Sequence, residues 1–228
     1  MKGENVIQTV LFDFDGLILD TEWPEFLAWR EVFDRHGCVL ALETWVAHTG
    51  KGAGNSSFSP YEALETLLGR PIERDAIRTG RRKRFAELML DETLLPGVED
   101  RLQEARQLGW KVGLVSSSPR EWITNYLTRF GLNAAFDALF CGDEVRCAKP
   151  DPELYLKALS YFDLRPDQAV VLEDSANGIA AAKAAGLFCV AVPNTVTRHS
   201  CLDQADLIVN SLADVTLQDL QKRFSPQP

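Results

Sequence analysis

Six short apolar runs recur along this chain with helical patterns between most of them, and that alternation restricts the fold more than any other feature. The runs are TVLFDFD from Thr9, WKVGLVSSS from Trp110, DALFCGD from Asp137, QAVVLED from Gln168, LFCVAV from Leu187 and ADLIVN from Ala205. Runs this short and this apolar suit strands buried on both faces. Helical periodicity covers Gly97–Leu108, Pro119–Phe130, Pro152–Phe162 and Gly178–Ala185. Ser118, Pro119 and Glu121 read as a capping box with proline at the first helical position. Asp151 reads as the cap of the helix that follows it. Strand then helix, repeated, predicts an α/β fold: a doubly wound parallel sheet with helices on both faces.

One stretch breaks the pattern. From about Glu22 to Thr93 no buried strand is evident, only helical periodicity such as PEFLAWREVFDRHG and YEALETLLG. An inserted helical lobe over the carboxyl edge of the sheet is expected, with residues 1–20 and 94–228 forming the core and 21–93 the lobe.

Charge narrows the function. The 228 residues carry 33 acidic and 24 basic side chains, a formal net charge of -9. Nucleic acid as a main partner is excluded, because a phosphate backbone needs basic surface. The basic run RTGRRKRF from Arg78 reads as a solvated helix face. The start, MKGENVIQTV, lacks the apolar stretch of a signal peptide, and no run is long enough to span a bilayer. Five cysteines form no CxxC pair, and three histidines have no ligand spacing to one another. The expectation is a cytoplasmic chain with reduced thiols, no zinc and no membrane partner. Oligomeric state is not legible.

In open parallel sheets, ligands bind beyond the carboxyl ends of the strands. The polar residues there are Asp13 and Asp15, Ser116 to Ser118, and Glu173 with Asp174, joined by Lys149 from the loop CAKPDP. Carboxylates alone repel a phosphate, so such a set needs a hard cation with oxygen ligands to handle one. Asp13 could then attack phosphorus, Asp15 could serve as acid and base, and Lys149 could neutralise the charge on the transferred group. Ser116, with backbone N–H groups at the next helix opening, could hold the phosphate.

These residues resemble the haloacid dehalogenase superfamily, in the branch of β-phosphoglucomutase-like phosphatases. The four family motifs are matched in order by DFDG at Asp13–Gly16, Ser116 in VGLVSSS, Lys149 in AKPDP, and the acidic pair of VVLEDSANG. The resemblance implies a Rossmann-like core with a helical cap. It also implies Mg2+ held by Asp13, the main-chain carbonyl of Asp15 and Asp174, with Glu173 acting directly or through water. An acid at Asp15 separates this chain from the superfamily's dehalogenases, transport ATPases and phosphonatases, and sets it with phosphatases and mutases. A phosphatase acting on a small phosphorylated metabolite is the expectation.

Plain structural readings stand beside these. Asp13 and Asp15 could be turn-formers, Glu173 and Asp174 could cap a helix, and Ser118 reads as an N-cap. Ser117, Arg120, Lys51 and Asn55 are candidate substrate contacts; Arg120 also reads as a solvated first-turn residue, and the HTGKGAGNSS stretch as a flexible turn. Trp23, Trp29 and Trp45 read as packing among the lobe's helices, and one of them could line the substrate pocket. The rival functions are a sugar-phosphate mutase and a non-catalytic binding module. The mutase lacks its usual groups here, since Glu25 stands where a histidine is common and only Lys51 lies near the position of a loop arginine.

Overall fold

The structure, a computed structural model, describes residues 7–49 and 58–224, with side chains over 7–46 and 58–223. The six apolar runs become β1 (Thr9–Phe12), β2 (Lys111–Val115), β3 (Ala138–Phe140), β4 (Ala169–Glu173), β5 (Phe188–Ala191) and β6 (Leu207–Ile208). They form one sheet in the order β3-β2-β1-β4-β5-β6, parallel at every pairing. Phe12 lies level with Leu114 on one side and Leu172 on the other. Asp13, Ser116 and Asp174 therefore leave three neighbouring strands at one edge.

Four helices lie in the inserted segment after β1: α1 (Glu22–Arg35), α2 (Leu42–Thr49), α3 (Pro60–Leu68) and α4 (Arg74–Met89). No strand falls among the described residues of this segment. Its own core joins Phe26, Trp29, Phe33, Trp45 and Leu64, with Val196 reaching in from the loop after β5. The rest are α5 (Val98–Gln107), α6 (Arg120–Arg129), α7 (Glu153–Phe162), α8 (Ala176–Ala184) and α9 (Leu217–Phe224). Alternate strand side chains point to opposite faces. Val10 and Phe12 accordingly pack with α5, α6 and α9, while Leu11 packs with α7 and α8. No described helix is long and apolar enough to cross a membrane.

Four local expectations need correction. The capping box at Ser118 does not form: Pro119 is the N-cap and carries no side-chain cap bond. The Arg120 N–H is instead taken by Asp143 from a distant loop at 3.1 Å, which leaves the Ser118 hydroxyl available elsewhere. Helix α8 starts at Ala176, before Gly178, because Ser175 caps it by accepting from the Gly178 N–H at 3.1 Å. Asp151 sits one residue ahead of the N-cap Pro152, although its carboxylate does accept from the Glu153 N–H at 3.0 Å. The basic run on α4 is not wholly solvated, since Arg81 and Arg84 turn inward to Glu25 and Glu31 of α1 while Arg82 and Lys83 face solvent.

Candidate active site

The carboxyl edge of the sheet and the helical segment enclose a cavity of about 1050 Å³. Asp13, Asp15, Ser116, Ser117, Lys149 and Asp174 line it from the core side. Asp13 is the first residue past β1, and the loop behind it turns back at once. The N–H groups of Leu17, Ile18 and Leu19 all point at the Phe14 carbonyl, with Gly16 at φ 83°. A Cβ on Gly16 would stand 2.2 Å from Asp174 Oδ2, so glycine here serves both the turn and the approach of the two loops.

Lys149 is the organising cation. Its ammonium donates to Asp13 Oδ1 at 2.6 Å, Glu173 Oε1 at 2.6 Å and the Val115 carbonyl at 2.7 Å, which uses all three of its donors. Burial alone would lower its pKa, but the Asp13 and Glu173 carboxylates outweigh that and hold it above its ordinary value. The same burial pushes Asp13 and Asp174 well up, helped by repulsion from Glu173 and Asp15 on Asp13 and from Asp13 and Glu173 on Asp174. One ammonium cannot offset three buried carboxylates.

Those carboxylates also approach one another closely enough to hold a metal ion, with ligand oxygens within 4.8 Å. Two of the three remain able to do so. Asp174 Oδ1 is buried with no hydrogen-bond partner, while Oδ2 accepts from Asn194 at 2.9 Å. An unpaired carboxylate oxygen in a buried site is costly unless a cation meets it. Oxygen donors at a negative edge fit a small hard ion such as Mg2+. Glu173 takes the helix-capping part that the sequence also offered it. Oε1 accepts from Lys149 and from the Tyr155 hydroxyl at 2.9 Å, and Oε2 accepts from the Asp174 and Ser175 N–H groups and the Ser175 hydroxyl. Its oxygens are engaged by five donors, and a Cβ on Gly178 would fall 1.8 Å from one of them. Glu173 therefore anchors Lys149 and the start of α8.

Asp15 lies across the site, held on both oxygens. Ser118 donates to Oδ2 at 2.6 Å, Ser116 reaches the same oxygen at 3.3 Å, and the Trp122 indole donates to Oδ1 at 2.9 Å. Ser117 is exposed on the cavity wall. Arg120 is not brought there. It pairs with Glu144 and donates to the Leu139 carbonyl at 2.8 Å, so its role as a substrate contact is corrected to a tie between α6 and the loop after β3. Lys51 and Asn55 lie outside the described residues.

Glu22, Glu25, Arg81 and Asn194 escaped the sequence reading as site residues, and two of the three tryptophans line the cavity where one was expected to. From the helical side come Glu22, Glu25 with Arg81, and Trp29 and Trp45, which serve both the packing of the helices and the cavity wall. Burial, then the neighbouring Asp15, Glu25 and Asp20 charges, push the Glu22 carboxyl up to about 7. Asn194, after β5, donates to Asp174 and to the Gly16 carbonyl at 3.2 Å and so joins the two carboxylate loops. Its position just past a strand end was the one available signal.

Residues 7–186 match the family model described as haloacid dehalogenase-like hydrolase. "Putative phosphatase YhcW" of Bacillus subtilis is 40% identical over 97% of this chain and 100% of its own length. "Phosphorylated carbohydrates phosphatase" of Thermotoga maritima is 32% identical over 79% of this chain and 82% of its own. Among solved structures, a mutant of CbbY from Rhodobacter sphaeroides in complex with xylulose-(1,5)bisphosphate aligns with a TM-score of 0.73 at 30% identity. That alignment covers 95% of this chain and 100% of CbbY.

Proposed function

This chain belongs to the haloacid dehalogenase-like hydrolases, and from that premise we propose that it is a Mg2+-dependent phosphatase. It cleaves a small phosphorylated organic metabolite through an aspartyl phosphate on Asp13. One observation carries this reading: Asp13 Oδ1 accepts from Lys149 at 2.6 Å, Asp13 still lines the cavity, and it sits in a carboxylate group whose Asp174 Oδ1 is buried and unpaired.

The roles follow from what each side chain touches. Asp13 attacks phosphorus, and the ester oxygen departs with a proton from Asp15. Asp15 then takes a proton from water as that water attacks the aspartyl phosphate, which frees inorganic phosphate and restores Asp13. Mg2+, held by Asp13, Asp174 and the main-chain carbonyl of Asp15, would supply positive charge against the phosphoryl oxygens. Lys149 keeps Asp13 aimed and offsets its charge. Ser116 and Ser117 hold the phosphate at the end of β2. Residues 21–93 act as a cap over the core of 1–20 and 94–228, with Glu22, Glu25 and Arg81 facing the organic part. Carboxyl and guanidinium groups suit a hydroxyl-rich leaving group, in keeping with the relative named for phosphorylated carbohydrates.

A screen of sugar phosphates, polyol phosphates and nucleotides with Mg2+ tests the reading. Release of inorganic phosphate is the expected result. Interconversion of sugar-phosphate isomers without release would make the protein a mutase, and binding without turnover would make it a non-catalytic module.

A further inference from the structure

The Trp122 indole touches the proposed acid and the cap at once. Its Nε1–H donates to Asp15 Oδ1 at 2.9 Å. Its ring stacks on Phe85 of α4 with centroids 5.9 Å apart and planes at 19°, and meets Tyr126 edge-on at 4.7 Å. The other carboxyl oxygen, Oδ2, faces the Ser118 hydroxyl at 2.6 Å and the Ser116 hydroxyl at 3.3 Å. The two oxygens are therefore not equivalent. An indole N–H only donates, so Oδ1 must accept from it. A hydroxyl both donates and accepts, so Oδ2 can carry a proton and remain satisfied.

We propose that Trp122 is a positioning residue for Asp15: its indole N–H fixes the rotation of the carboxyl group and reserves Oδ2 as the oxygen that carries the transferred proton. This rests on Asp15 being the acid and base of the reaction proposed above. A carboxyl group turns about a broad, roughly two-fold torsion when nothing holds it. The Phe85 and Tyr126 rings hold the indole, and the indole holds the carboxyl group. The consequence is felt where proton transfer matters. When Asp13 bonds to phosphorus, the P–O bond to the leaving group breaks and the departing oxygen takes the Oδ2 proton. A weakly basic leaving oxygen, as in p-nitrophenyl phosphate, departs with little need of that proton. A more basic one, as in phenyl phosphate, depends on it.

Trp122→Phe removes the donor and leaves an aromatic ring to meet Phe85 and Tyr126. With saturating Mg2+, kcat/KM on phenyl phosphate should fall about tenfold or more, a fraction of what a general acid contributes, and on p-nitrophenyl phosphate less than about twofold. In an Asp15→Ala background the same substitution should cost nothing on either ester, because the pair then shares no interaction to lose. Equal losses on both esters, no loss on phenyl phosphate, or an undiminished loss in the Asp15→Ala background each overturn the proposal. If Trp122→Phe does not fold, exchange of the wild-type indole proton gives a second readout. It should be slow in the wild type and fast in Asp15→Ala, and equal exchange in the two overturns the proposal. The two levels separate cleanly. An Asp15→Ala enzyme with full rate on phenyl phosphate removes the mechanism itself, whereas an Asp15-dependent rate untouched by Trp122→Phe removes only the role of Trp122.

Discussion

Arg81 on α4 donates to Glu25 on α1 at 2.6 Å, across 56 residues of sequence, and its guanidinium lies 5.4 Å from the centroid of the Trp29 ring. The cap side of the cavity thus carries a cation already paired with an acid. The arginine Nε is buried without a partner, so the group is held by one edge and by the indole face. An arginine paired in this way adds little net attraction for a second phosphate.

Releasing that charge should change substrate ranking. Glu25→Gln leaves Arg81 unneutralised, so the ratio of kcat/KM for fructose 1,6-bisphosphate over fructose 6-phosphate should rise about three- to tenfold. That corresponds to about 1 kcal/mol. An unchanged ratio would place the far end of the substrate away from α1 and α4.

Asp13→Asn should abolish turnover and leave the fold intact. Asparagine fills the same space and can still accept from Lys149, but its amide is no nucleophile. Thermal melting checks the fold, and phosphate release checks the rate. A folded variant that keeps even a tenth of the wild-type rate has lost only about 1.4 kcal/mol of transition-state stabilisation. A loss that small would end the covalent reading.

Asp13, Asp15, Lys149 and Asp174 were legible because each sits in a short motif at a strand end or in the loop beside it, where an apolar run stops at an acid or a lysine precedes a proline. The sheet and its two helical faces were legible for the same reason, since period and length are local properties. Arg81, Trp122 and Glu22 were not. Trp122 reaches Asp15 across 107 residues, and Arg81 lay inside a basic run in which Arg78, Arg82 and Lys83 face water. Ser118 was misread because a local pattern offered it a nearby partner. Asp143 replaced Ser118 at the α6 terminus, and five donors converged on Glu173. Tertiary contacts decided both.

Removing the divalent cation should stop the reaction and lower stability together. Chelated protein should melt at lower temperature than Mg2+-loaded protein, because an ion that binds only the folded chain stabilises it by mass action. Asp174→Asn should lose most of that difference, since Oδ1 of Asp174 is the buried atom without a partner. Ca2+ should raise the melting temperature but not support turnover, because its larger, looser coordination seats the attacking carboxylate poorly. Full activity after exhaustive chelation would remove the metal from the mechanism.

Glu22 should make the ion-free protein less stable as pH rises through neutrality. Its carboxyl is raised to about 7 by burial and then by Asp15, Glu25 and Asp20, whereas an unfolded glutamate titrates near 4.3. Below that lower value the group is neutral in both states and adds no penalty. Between the two values the unfolded chain has released its proton while the folded chain still binds it, so stability falls. Above about 7 both states are ionised and the folded state carries the full cost, at most about 4 kcal/mol and less where water screens the cavity wall. Glu22→Gln removes the charge and keeps the shape. In chelated samples it should melt several degrees above wild type at pH 8, at roughly 2–4 °C per kcal/mol, and at nearly the same temperature at pH 4.5. A gap as large at pH 4.5 as at pH 8 would mean that glutamine acts through packing, and the charge at Glu22 would lose its place in the energetics of the cavity.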